Sequence, residues 1–338
     1  MKKNLSSFLV LVVLISVLCI MPAFSEGTTE GQPKKAEYVM LMANPSSPED
    51  ACVKAFFKFE EIVEEKSEGR IDVQVKHSGQ LGGHRDYIEG LQMGSIQLAE
   101  INTSVLSAID DSFMVLDLPF LSKSGEHQLR VLESGVGESL SNTLEEKTGI
   151  RIIGWMIRPP RCVYSAVGPI ETAADFKGLK IRVMESPVML RTMQLLGAKP
   201  VPVSANERYM ALQTGVVDAA ENNPSIVLTE KEYEVTDYFS MTEHFNTPNI
   251  IAVDTKFLSN MPEDLQKIII EAGEEAGEYA TEIAAAEVND SLKQLEEKGM
   301  KVNAIDDKSS FIEAVSPIYA EYEDQIGKDL IDKFLLTN

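Results

Sequence analysis

The chain has 338 residues, 31 Lys+Arg against 53 Asp+Glu, a formal net charge of −22 and 44% hydrophobic residues. This is globular composition, and it excludes a disordered chain, a collagen-like repeat and a small disulfide scaffold. A pI near 4.6 argues against nucleic acid or an anionic membrane surface as a partner, and an anion site in so acidic a chain must gather its positive charge locally.

Met1-Lys2-Lys3 is a basic lead, Phe8 to Met21 is apolar apart from Ser16 and Cys19, and Pro22-Ala23-Phe24-Ser25 offers a small-x-small cleavage site. This pattern predicts a secretory signal peptide over 1–25, cleaved near Ser25, and a periplasmic mature protein. The alternatives are an uncleaved anchor or a lipoprotein at Cys19. Cleavage leaves 313 residues and, because two lysines and no acid go with the leader, takes the charge from −22 to −24. That length favours two domains. Cys52 and Cys162 read as buried small apolar residues.

Strands are predicted over 37–43, 71–76, 98–103, 151–156, 161–167, 179–183 and 219–221, with helices over 49–67, 84–93, 126–147, 186–196 and 206–214. Strands alternating with helices indicate an α/β protein with mixed or parallel sheets. From Pro262 to Lys298 the apolar residues keep helical spacing, which predicts a rod of ~55 Å at ~1.5 Å per residue, long enough to lie across two domains. Two helices broken near Gly277 are the alternative. A short strand over 300–304 and helices near 308–323 and 326–335 complete the chain.

The sequence has no phosphate loop, no strand-linked GxGxxG, no GxSxG and no HExxH. His77, His84, His127 and His244 are not spaced as metal ligands. No cofactor and no metal are expected, and there is no positive sign of catalysis.

The segments DFKGLKIRV, LGAKPVPV and ALQTGVVDAAEN, with GQLGGHRDYIEGLQMGSIQLA and DLPFL upstream, stand in one order along the mature chain. Together they resemble the extracytoplasmic solute-binding subunit of TRAP transporters, the DctP type. The resemblance implies a two-domain periplasmic-binding-protein clamshell with a long helix spanning both domains. Domain I would hold 36–159 plus 248–287 and domain II 160–247 plus 288–338, with the ligand cleft between them. It also implies capture of an organic acid, delivery to the small and large membrane subunits of a permease, and no enzymatic turnover.

Arg182 sits in the apolar strand LKIRV. A guanidinium there is suited to hold a carboxylate, because its planar fork binds two oxygens and offsets the cost of drying the anion. It matches the family's carboxylate-clamping arginine. Arg161 matches a second ligand-contacting arginine, with Arg158 as its rival, and Asn222 matches a ligand-binding asparagine, with Glu221 beside it. Glu185 and His84 stand where relatives carry polar contacts. Asn102 and Asn44 end strands, where cleft residues gather. Tyr209 and Tyr164 are candidates for the pocket floor, and Ala205 replaces a family aromatic. The run from Ala220 to Phe245 looks most like the hexuronate-binding branch. A C4-dicarboxylate or another sugar acid stays open, as do a sensor module and an exported carboxylate-dependent hydrolase.

Overall fold

The structure is a computed structural model that describes residues 36–337; the predicted signal peptide lies outside the described residues. The strands are β1 (Tyr38–Ala43), β2 (Ile71–Lys76), β3 (Leu98–Asn102), β4 (Ile150–Met156), β5 (Arg161–Ser165), β6 (Lys180–Val183), β7 (Lys199–Pro202), β8 (Ala219–Asn222), β9 (Tyr238–Phe245), β10 (Asn249–Asp254) and β11 (Lys301–Asn303). They form two mixed sheets, ordered β2-β1-β3-β10-β4 and β11-β9-β5-β8-β6-β7.

Each sheet is the frame of one lobe. The chain passes between the sheets after β4, through Ile157-Arg158-Pro159-Pro160, and after β9, through Asn246-Thr247-Pro248. The prolines fix φ at both crossings and suit short, stiff connections. In the first sheet β10 runs antiparallel to β3 and β4, with Asn249 opposite both Asn102 and Met156. In the second, β5 pairs antiparallel with β8, setting Cys162 opposite Asn222, and β6 pairs parallel with β8, setting Arg182 opposite Ala220. These registers bring the ends of β3, β5, β8 and β10 toward one region.

The helix Ala51–Lys66 begins where the Asp50 carboxylate accepts from the Cys52 amide, the N-cap arrangement that satisfies an orphan donor. Its Ala55, Phe56, Phe59, Ile62 and Val63 face inward and pack with the long helix on one side of the first sheet. The long helix runs Glu263–Ala286 and continues as Val288–Glu297, with the break at Glu287. Gly277 is not the break, because it is needed inside the helix. A Cβ there would stand 2.7 Å from the Trp155 carbonyl oxygen, so glycine lets the helix lie directly against β4. The second segment packs on the helix Pro224–Thr229 of the other lobe, so the pair of helices spans both lobes.

Other boundaries differ from expectation for identifiable reasons. The helix expected over 126–147 is two, Gly125–Val131 and Gly137–Thr148, joined by a wide turn in which Gly135 has φ 99°. Pro317 divides the run expected over 308–323 into Ser309–Val315 and Pro317–Ile326, because it has no N–H to continue the first helix. Between Asn222 and Pro262 the sequence reading names no element, yet β9 and β10 lie there. In β9 the inward-facing Ser240, Thr242 and His244 are polar, which hides the apolar alternation. The C-terminal helices strap the lobes together: Tyr319 donates to the Pro119 carbonyl at 2.6 Å, and Arg191 pairs with Glu321 at 2.6 Å. Cys52 and Cys162 are buried and free, as their apolar reading expects.

Candidate functional site

A cavity of about 170 Å³ lies where the two sheets face each other. The first lobe contributes Ser46, Ser78, His84, Glu100, Asn102 and Asn249 to its wall, and the second contributes Arg161, Met184, Arg208, Tyr209, Asn222 and Glu232. Arg158, in the first crossing, completes the wall.

Four arginines are buried among the described residues: Arg158, Arg161, Arg182 and Arg208. Three are matched by a buried carboxylate. Arg158 Nη2 pairs with Asp50 Oδ2 at 2.7 Å. Arg208 Nε pairs with Glu232 Oε1 at 2.5 Å. Arg161 engages Glu221 with both Nε and Nη2, the latter at 2.9 Å to Oε1, and also donates to the Glu221 carbonyl at 2.8 Å and to Asn222 Oδ1 at 3.3 Å. Charges buried in this way cost several kcal/mol each unless their partners are well placed.

Arg182 is the exception. It is 0% exposed. Its Nε donates to the Val203 carbonyl at 2.8 Å, its Nη2 lies 3.2 Å from Met184 Sδ, and its Nη1 has no hydrogen-bond partner. Burial opposes the charged form of Arg158, Arg182 and Arg208. In Arg158 and Arg208 burial is the largest single effect, but the facing carboxylate and the other acidic groups around it together outweigh it and the pKa rises. In Arg182 burial prevails, reinforced by the charge of Arg208, and pushes the pKa down to about 9. Arg182 is thus the buried guanidinium with no carboxylate partner; it lies outside the cavity wall but touches Met184, which is part of that wall.

The structure gathers Arg161, Asn222, His84, Asn102 and Tyr209 on this cavity and does not bring Arg182, Glu185 or Asn44 into its wall. His84 Nε2 lies 3.0 Å from Glu100 Oε2, both groups buried. Asn102 caps the following turn, accepting from the Ser104 amide at 3.0 Å, and donates to Asn249 at 2.7 Å. Tyr209 donates to Glu234 at 3.1 Å. Asn44 is buried and accepts from the Ser46 amide at 2.8 Å. Glu185 faces a neighbouring cavity of about 250 Å³, where it pairs with Arg85 of the first lobe at 2.8 Å. A second contact between lobes runs from the Ser47 amide to Glu230 Oε1 at 2.8 Å. Tyr164 is buried beneath the wall and donates to Glu232 Oε2 at 2.5 Å. Sequence reasoning missed Arg208, Glu232 and Glu100. The signal for Glu100 was present: it is a charge within the apolar strand LAEIN, as Arg182 is within KIRV.

Residues 42–325 match the model of a bacterial extracellular solute-binding protein, family 7 (DctP). The chain belongs to this family. It is a TRAP-type extracytoplasmic solute-binding protein. Among solved structures it is similar to a TRAP periplasmic solute-binding protein of Sulfitobacter sp. NAS-14.1 with bound β-D-galacturonate, at 30% identity and TM-score 0.83, covering 88% of this chain and 99% of that one. It is similar to one of Chromohalobacter salexigens with bound D-glucuronate, at 31% identity and TM-score 0.84, covering 88% and 100%. It is also similar to one of Sulfurospirillum deleyianum with bound succinate, at 28% identity and TM-score 0.86, covering 90% and 100%. The family is one of transport proteins that bind solutes, and relatives are named as periplasmic. Among the described residues no helix is long and apolar enough to cross a membrane.

Proposed function

We propose that this protein captures a hexuronate, such as glucuronate or galacturonate, between its two lobes and delivers it unchanged to the small and large membrane subunits of a TRAP permease. The observation that carries this reading is the buried, unpartnered Nη1 of Arg182. A carboxylate entering the cavity displaces Met184, whose unbranched thioether adapts easily, and meets a guanidinium already dehydrated and already positioned. The cost of burying that charge has been met in the empty protein, so the ligand gains a charge-assisted pair in a dry site. Asn222 offers an Nδ2 with no partner among the described residues, while Ser46, Ser78, His84 and Arg161 line the space for the sugar hydroxyls.

In this reading residues 36–159 with 248–287, and 160–247 with 288–338, are the two jaws. The ligand shifts them toward the closed form through contacts made only there, and the Arg85–Glu185 and Ser47–Glu230 contacts mark the closing faces. Residues 1–25 direct export to the periplasm and are then removed. A C4-dicarboxylate is the second reading, favoured by the likeness to a succinate-bound protein.

A thermal-shift series on residues 26–338 tests the proposal, with uronates, aldonates, C4-dicarboxylates and 2-oxo acids as ligands. A hexuronate at about 100-fold its Kd adds ~2.7 kcal/mol of stability by mass action. A shift with C4-dicarboxylates alone selects the second reading. Conversion of the bound acid into another compound contradicts delivery of intact ligand.

A further inference from the structure

We propose that the buried pair Arg208–Glu232 sets the charge of the ligand: it lets the cavity take a monocarboxylate and turn away a dicarboxylate of the same length. This rests on the reading of the cavity as a carboxylate site served by Arg182.

Arg208 belongs to the cavity wall, and its Nε donates to Glu232 Oε1 at 2.5 Å. The other Glu232 oxygen accepts from Tyr164 at 2.5 Å. Both carboxylate oxygens are therefore engaged by the protein. Lys231, immediately before Glu232, has φ 57°, a left-handed conformation that is uncommon for a residue with a side chain and that turns the following residue into the wall. Neither Nη of Arg208 has a hydrogen-bond partner among the described residues, whereas Arg161 spends its Nη groups on Glu221 and Asn222, and Arg158 spends its own on Asp50 and Cys52. Arg208 thus presents N–H donors to the cavity while Glu232 cancels its charge. Such a group suits a hydroxyl or ring oxygen.

A second carboxylate placed there would lose its hydration and gain no uncompensated cation, and an unpaired buried charge is among the costliest groups a site can hold. Glu230 raises that cost, since it adds an acid to the same wall. Selectivity of this kind works through an element that penalises the wrong ligand. Glu232 is a positioning residue: it acts through Arg208.

The test uses ligand-stripped protein of residues 26–338 loaded with D-galacturonate. D-Gluconate and D-glucarate, which differ only in a terminal hydroxymethyl or carboxylate, are titrated as competitors. Wild type is expected to prefer gluconate. Glu232→Gln frees the Arg208 charge and is expected to move the gluconate-to-glucarate ratio at least about ten-fold toward glucarate, a change worth ~1.4 kcal/mol. Arg208→Gln leaves Glu232 unpaired and is expected to move the ratio the other way. That variant decides the question if Glu232→Gln does not fold, as judged by its melting transition. A folded Glu232→Gln protein whose ratio is unmoved, or that neither acid enters, overturns the inference while galacturonate binding by wild type leaves the carboxylate site standing. A wild type that binds no sugar acid overturns both.

Discussion

The two sides of the cavity are built on different principles. The second lobe and its crossing supply guanidinium groups, four of them buried, three matched by carboxylates and one, Arg182, without a carboxylate partner. The first lobe supplies amides, hydroxyls and the His84–Glu100 pair. In a chain of net charge −22, positive charge is gathered on one side of the cavity and most of it is neutralised, while Arg182 keeps a buried donor without a partner.

Matched and unmatched guanidinium groups differ most in what the same substitution does to each. Arg161→Met leaves Glu221 buried without its cation and is expected to lower folding stability by about 3–5 kcal/mol, read by urea denaturation of the ligand-free protein. Arg182→Met removes a buried charge that has no ion-pair partner. Its ligand-free stability is expected to hold or rise, while affinity falls by about 2–5 kcal/mol in a titration. Equal stability losses in the two variants would erase the distinction between matched and unmatched guanidinium groups.

Acid titration separates the lobes again. Burial raises the Asp117 pKa to about 6 on the first-lobe side and lowers that of His244 on β9 to about 4. Asp117 binds its proton more tightly folded than unfolded, so its contribution falls as pH rises from about 4 to 6. His244 binds its proton more weakly when folded, so its contribution is complete above about 6.5 and is lost as pH falls toward 4. The two slopes oppose. Asp117→Asn is expected to deepen the loss of stability on acidification from pH 6.5 to 4, and His244→Asn to reduce it, each by roughly 1–3 kcal/mol. Denaturation curves at several pH values measure both, and slopes of the same sign would contradict the assignment. The smallest effect concerns the closing faces. Arg85 is 62% exposed in its side chain, so Arg85→Ala is expected to change ligand affinity by less than ~1 kcal/mol, and a larger change in the same titration would give that contact a greater share in closure.

Much of this was legible in the sequence. The strands KIRV and AAEN, the helices at 51–66 and 84–93, and the long helix follow from apolar spacing that depends on nearest neighbours alone. Arg182 stood out because a charge in an apolar strand needs a reason. The matching carboxylates did not stand out. Asp50 lies 108 residues from Arg158, and Glu221 lies 60 residues from Arg161. No local pattern records such pairings: the second depends on β5 and β8 meeting in one register, and the first on the helix start at Asp50 meeting the crossing after β4. For the same reason the pairing of Glu185 with Arg85 of the other lobe was not legible. Glu287, not Gly277, breaks the long helix, because a glycine inside a helix serves close packing as readily as it serves a bend.

The most direct test of the account is calorimetric titration of ligand-stripped protein with D-galacturonate and D-glucuronate, run on wild type and on Arg182→Met. The account predicts saturable one-to-one binding of at least one hexuronate by wild type. It predicts a loss of at least about 30-fold in the variant, with the ligand-free melting temperature held or raised. A folded Arg182→Met protein that binds the same acid with undiminished affinity would contradict it.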